Sequence, residues 1–243
     1  MLKRSVALHA MVVAALACDT RPAADAQVAD ETRVVLESDG WQLVGDLVLP
    51  VGNRPAPAVL MLNQAAGTRM AYEGLARLLA ERGFASLRID LRAHGESTNL
   101  GRFVPGDGTM LVGSERDVAV AHEFLRSHAA IDGERIGVVG ASYSGESMAE
   151  AGRDHRYAQA YVALSPGSFS DESLAAIDPS GVPWLFVQSR EDRFLQGFDF
   201  QIDSASTTAE MVILPRSGHA SDLLAMHSDL PERLANWLAA RLR

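Results

Sequence analysis

The stretch RIGVVGASYSG, residues 135–145, places two serines two positions apart, Ser142 and Ser144, directly after an apolar run. A serine hydroxyl becomes a useful nucleophile only when a base takes its proton, and that base needs a partner to fix its tautomer. The chemistry to test is therefore acyl transfer, with a histidine and a carboxylate supplied from elsewhere in the chain. The pattern Gly, any residue, Ser, any residue, small residue also arises by chance in a chain rich in Gly, Ala and Ser. Context must separate a nucleophile from a serine that only caps a helix.

The context is an alternation of elements. TRVVLES and WQLVGDLVLP are β-rich runs separated by Asp39-Gly40, a pair favoured in two-residue hairpins, which predicts two antiparallel opening strands from Thr32. AVLML after Pro57 reads as a strand covered on both faces. Between Met70 and Arg82, Tyr72, Leu75, Leu78 and Leu79 fall at helical spacing, and Gly83 ends that helix before the strand FASLRID. Val118, Ala121, Phe124 and Leu125 mark a second helix, followed by the strand RIGVVG. Helices at 144–153, 173–177 and near 198–206 then alternate with the strands AQAYVAL, WLFVQS and EMVILP. A last helix is expected to be capped by Asp229 and Glu232, with Pro231 in its first turn. This predicts an α/β fold, a doubly wound, mostly parallel eight-stranded sheet with an antiparallel N-terminal hairpin in one domain, 32–243. Chemistry in such a sheet sits in the loops after the carboxyl ends of the strands.

Those ends carry LNQAAG (62–67), IDLRAHGES (89–97), GASYSG (140–145), SREDRF (189–194) and SGHA (217–220). The series resembles the α/β-hydrolase superfamily, in particular its small lid-less serine hydrolases and dienelactone-hydrolase-like members, from about Thr32 to the end of the chain. In a nucleophile elbow the residues two before and two after the serine must be small. Gly140 and Ser144 meet that rule for Ser142, whereas Glu146 breaks it for Ser144. The resemblance implies His219 as base and Asp192 as the acid that orients it, with His227 and Asp171 as the alternatives. It makes His94 structural, and His122, His128 and His155 read as packing or surface residues. It places the oxyanion donors at the N–H groups of Tyr143 and Ala65, with Gln64 lining the site. No metal or organic cofactor is implied.

The expected reaction is hydrolysis of a small or medium carboxylic ester through an acyl-enzyme. Peptidase, thioesterase or perhydrolase chemistry uses the same three residues, and a non-catalytic binding module at the cell surface is the reading from another class. The short stretch between AQAYVAL and Trp184 leaves no room for a cap domain, so an open cleft is expected. Residues 98–112, TNLGRFVPGDGTMLV, form a Gly-rich loop at its side.

A formal charge of −9 with scattered Lys and Arg provides no basic face for nucleic acid. Lys3 and Arg4 precede an apolar run from Val6 to Ala17 that is too short to span a bilayer, the pattern of a signal peptide over 1–17. Cys18, the one cysteine, follows Ala15-Leu16-Ala17 as in the lipobox of bacterial lipoproteins. A single cysteine in an exported chain has no internal disulfide partner, and lipid attachment explains it. Residues 18–31 read as a tether, and the protein as exported in a bacterium, periplasmic or at the cell surface, held at the membrane through Cys18. Cleavage after Ala24-Asp25-Ala26 is the competing outcome. On the lipoprotein reading, Cys18→Ser abolishes incorporation of labelled fatty acid and releases the protein from membranes; a wild-type protein that takes up no lipid and starts at Gln27 contradicts it.

Overall fold

The computed structural model describes residues 30–52, 54–154, 157–167, 169–177, 180–192, 209–216 and 218–242. The leader, Cys18, His155 and the expected helix near 198–206 lie outside them. Asp39 and Gly40 form the two-residue turn, with φ of +49° and +81°. Gly reaches such angles freely and Asp tolerates them better than most side chains. They join β1 (Asp30–Ser38) to β2 (Trp41–Leu49) in register Ser38↔Trp41. The strand begins two residues before the expected Thr32: Asp30 and Glu31 pair with Leu49 and Val48, and Glu31 makes an ion pair with buried Arg88.

Six further strands follow: β3 (Ala56–Leu62), β4 (Ala85–Ile89), β5 (Ile131–Ala141), β6 (Ala160–Leu164), β7 (Trp184–Ser189) and β8 (Glu210–Leu214). The sheet order is β1-β2-β4-β3-β5-β6-β7-β8. β2 runs antiparallel to β4, and from β4 onward every pairing is parallel. Among the described residues the helices are α1 (Glu73–Glu81), α2 (Ser114–Ser127), α3 (Ser144–Asp154), α4 (Asp171–Ile177), α5 (Leu223–Met226) and α6 (Leu230–Arg241). On β3, Leu60 and Leu62 join the core under α2, α3 and α4, while Val59 and Met61 join the core under α1, α5 and α6. Burial on both faces is why these strands read as continuous apolar runs.

Two terminal features differ from the sequence expectation. The first turn of the Met70–Arg82 helix is a 3-10 turn, Arg69–Tyr72, and the α-helix starts at Glu73. At α6, Pro231 lies in the first turn as expected, yet Asp229 has helical φ and ψ and makes no side-chain cap bond. Its carboxylate pairs with Arg233 at 3.5 Å, and Glu232 pairs with Arg82. The two acids are spent on ion pairs, so no capping box forms.

The DLRAHGES segment after β4 is fixed by buried charge. Asp90, fully buried, accepts from the Arg69 amide at 2.7 Å and from its guanidinium at 2.5 Å, and from the Glu96 amide at 3.1 Å. A Cβ on Gly95 would sit 2.1 Å from Asp90 Oδ2, so only glycine fits there. Arg69 also pairs with Asp46 at 2.8 Å and Glu96 at 2.7 Å, and Arg33 and Arg69 together hold the Glu96 carboxyl down to about 2. Arg92 pairs with buried Asp117 at 2.6 Å. Removing one member of such a cluster leaves an uncompensated buried charge.

His122 on α2 is buried and packs against Tyr157 at 5.0 Å between ring centroids. Burial pushes its pKa below the usual 6.5, and the same holds for His94. As pH falls below 6.5 the unfolded chain takes up these protons before the folded one, so stability is complete above that value and is lost on acidification until the folded pKa is passed. His122→Phe should therefore lose less of its urea-unfolding free energy between pH 7 and pH 5 than the wild type; equal losses would remove His122 from this account.

Candidate active site

β5 turns into α3 within two residues, Ser142 and Tyr143. Ser142 has φ of +54°, a left-handed conformation that costs a residue bearing a Cβ on the order of 1–2 kcal/mol. The turn is held by the Ser142 amide donating to Leu164 O at 3.0 Å and the Gly145 amide donating to Ser142 O at 3.0 Å. A Cβ on Gly140 would lie 2.8 Å from Ser144 O and 2.9 Å from Met148 Sδ, and one on Gly145 would lie 3.1 Å from Pro166 Cβ. The pass between strand and helix is thus as narrow as the spacing of small residues predicts.

The two serines have different environments. Ser144 is fully buried; its hydroxyl accepts from the Ala141 amide at 2.7 Å and lies 2.9 Å from Ala141 O, to which it donates. Ser142 Oγ lies 3.1 Å from His219 Nε2. His219 Nδ1 lies 2.8 Å from Asp192 Oδ2. The Asp192 side chain is 2% exposed and that of His219 34%. A buried carboxylate accepting from Nδ1–H leaves the Nε2 lone pair for the Ser142 O–H, the tautomer that a base requires. Asp192 follows β7, its amide donating to Ser189 O at 3.0 Å, and His219 follows β8. Three separate strand ends supply the three groups.

The alternatives lie elsewhere. Asp171 is exposed at the start of α4, and the bond to His219 Nδ1 is made by Asp192. His227 is buried at the end of α5, and Glu191 is exposed in the turn after β7. His94 is buried and stacked between Phe103 and Tyr143, at centroid distances of 5.0 and 5.4 Å. Its Nδ1–H donates to Arg92 O at 2.9 Å. It packs behind the residue that follows Ser142, consistent with a structural role, and burial raises the Tyr143 phenol pKa.

The loop after β3 is built around Asn63, which is fully buried, accepts from the Leu91 amide at 2.8 Å and donates to Gln64 O at 2.9 Å. Among the described residues neither the Tyr143 amide nor the Ala65 amide donates a hydrogen bond. Gln64 does more than line a cleft: its Oε1 accepts from the amide and hydroxyl of Ser221 at 2.9 and 3.0 Å. Sequence reasoning missed Ser221 because a bond across 157 positions leaves no local pattern. A serine two places after the candidate base was the one available signal.

Residues 39–175, more than half of the chain, match the family described as X-Pro dipeptidyl-peptidase (S15 family). The matched span carries Ser142 and ends before Asp192 and His219. No curated protein matches the sequence. Among solved structures the fold is similar to dienelactone hydrolase from Anabaena variabilis, with 20% identity and a TM-score of 0.71 over 88% of this chain and 99% of that one. It is similar also to an alpha-beta serine hydrolase homologue from Coxiella burnetii, with 20% identity and a TM-score of 0.67 over 84% and 96%. A third is the Pyrococcus furiosus esterase Pf2001, with 17% identity and a TM-score of 0.67 over 88% and 94%. Eight strands in this order, helices on both faces, the strained turn after β5 and the family match agree: the chain belongs to the S15 family of hydrolases, within the α/β-hydrolase superfamily.

Proposed function

We propose that the protein is a serine hydrolase acting on small or medium carboxylic esters. The observation that supports this most directly is the run of contacts Asp192–His219–Ser142, at 2.8 and 3.1 Å, ending on a serine in a left-handed turn. His219 Nε2 takes the Ser142 proton as Oγ attacks the ester carbonyl. The oxygen of the tetrahedral intermediate takes the negative charge and is met by the N–H groups of Tyr143 and Ala65. Collapse breaks the carbon–alkoxide bond, and the alkoxide leaves with the proton from His219. Water then attacks the acyl-enzyme, gives its proton to His219, and the carboxylic acid departs as Ser142 Oγ recovers that proton. Asp192 stays ionised and stabilises the imidazolium formed in each half-reaction.

The substrate class rests on the partial exposure of the base, whose side chain is 34% exposed, and on the short β6–β7 connection. Among the described residues the β6–β7 connection carries the seven-residue α4, and the nineteen positions between Leu164 and Trp184 are too few for an inserted domain at that edge. A second reading, cleavage after proline in a peptide, is supported by the description of the matched family. Both readings use the same three residues. They differ in the leaving group, because an amine must be protonated to depart whereas an alkoxide departs more readily. A panel of p-nitrophenyl acyl esters set against Xaa-Pro p-nitroanilides distinguishes them; turnover of the esters with none of the anilides is expected, and the reverse preference would replace the esterase assignment.

Ser142→Ala should lower kcat by roughly five to six orders of magnitude, leaving what binding and the oxyanion donors supply. Ser144→Gly should keep the rate within about tenfold, about 1.4 kcal/mol in barrier. It should cost about 1–3 kcal/mol of stability by denaturant unfolding, because the buried Ala141 amide loses its acceptor. Ser144→Gly inactive beside an active Ser142→Ala contradicts the assignment.

A further inference from the structure

His219 sits in a backbone segment of unusual conformation. Arg216 and Ala220 have φ of +76° and +54°, and Gly218 has +148°. A non-glycine residue stays in the left-handed region only where its surroundings over-determine it. On one side of Ala220, His219 is tied to Asp192 and Ser142. On the other side Ser221, 4% exposed, gives its amide and its hydroxyl to a single atom, Gln64 Oε1, at 2.9 and 3.0 Å. Gln64 is itself fixed. Its carbonyl accepts from the Gly67 amide at 3.0 Å and from Asn63 Nδ2 at 2.9 Å. A Cβ on Gly67 would lie 2.7 Å from Gln64 Cγ, so glycine there leaves room for the side chain to turn toward Ser221.

We propose that Gln64 is a positioning residue that latches the loop carrying His219 to the loop carrying the Ala65 amide. It bonds to neither Ser142 nor His219, and it acts through Ser221. Base and oxyanion donor come from separate loops, which the Ser221–Gln64 bond joins across 157 positions, and productive geometry requires each to be held within about 0.5 Å of its required place. The doubly accepting Gln64 oxygen supplies that link, because it sits one residue before Ala65 and binds two residues after His219. The bond needs only an acceptor at Oε1, so a carboxylate replaces it and an alkyl group does not. The role rests on the Ser142–His219–Asp192 reading given above, and the experiment keeps the two separable.

Full-length Gln64→Leu, Gln64→Glu and Ser221→Ala are compared with wild type for kcat and KM on the best ester, and for hydrogen exchange at the Ser221 amide. Gln64→Leu should lower kcat by roughly 10- to 100-fold with KM changed less than about threefold, the signature of misplaced catalytic groups. The Ser221 amide should lose its protection in that variant. Gln64→Glu should recover most of the rate and the protection, while Ser221→Ala, which keeps the amide donor, should fall between. Wild-type kcat in Gln64→Leu, unchanged exchange at the Ser221 amide, or equal damage by Gln64→Glu and Gln64→Leu overturns the latch. A wild-type protein without hydrolase activity overturns the triad reading instead, and amide exchange at Ser221 then still decides whether Gln64 holds that loop.

Discussion

The left-handed turn at Ser142 is the constraint on which the rest of the site depends. A serine at φ of +54° holds its hydroxyl above the end of β5, but that conformation is unfavourable for an isolated chain. The strand before it and the helix after it therefore have to press together, which is possible only because Gly140 leaves the space that Ser144 O and Met148 Sδ need. The parallel neighbour β6 supplies Leu164 O for the Ser142 amide, and buried Ser144 takes the Ala141 amide. The strain is balanced by contacts made throughout the strand–helix junction. His219 and Asp192 then need only reach the same point from the ends of β8 and β7, which a parallel sheet provides without further construction.

Charge buried beside this junction keeps the neighbouring loops in place. Asp90, Arg69, Asp46 and Glu96 link the end of β4, the 3-10 turn before α1 and the N-terminal hairpin. Each buried ion costs desolvation, and the cluster is tolerable because each buried member has at least one opposite charge and further hydrogen bonds. Its effect on function is indirect: it fixes the loop bearing His94, which stacks on Tyr143 directly beside the nucleophile turn. A conformational change at this hairpin would thus be felt at the site through packed and hydrogen-bonded groups.

Much of this was legible in the sequence where a local rule governs the structure. Asp39-Gly40 gave its hairpin because its conformational needs are local, and the Gly140, Ser142, Ser144 spacing separated two serines because the steric demand of the elbow acts within five residues. Asp192 and His219 were singled out through the resemblance, by their order along the chain, and parallel strands, which place successive loops on one edge, bring them into hydrogen-bond distance of each other and of Ser142. The failures share a cause as well. Asp30 and Glu31 read as tether because their segment carries no periodic apolar pattern, yet Arg88, buried in β4, draws Glu31 into the sheet. Asp229 and Glu232 had the spacing of a capping box, but Arg233 and Arg82 claim them. The partner of Gln64 is 157 positions away. Glu31–Arg88, Glu232–Arg82 and Gln64–Ser221 join positions far apart in the chain, and Asp229–Arg233 lies one helical turn along; in none of them does the local pattern name the partner.

The most direct test of the central claim is the site of a covalent adduct. Wild-type protein treated with a fluorophosphonate is digested with trypsin, and the peptide of residues 136–153, which holds both serines, is fragmented in the mass spectrometer. A nucleophile activated by His219 at a left-handed turn predicts one phosphonyl group on Ser142, none on Ser144, and loss of the adduct in His219→Ala. An adduct on Ser144, or labelling that persists without the His219 imidazole, would contradict the account.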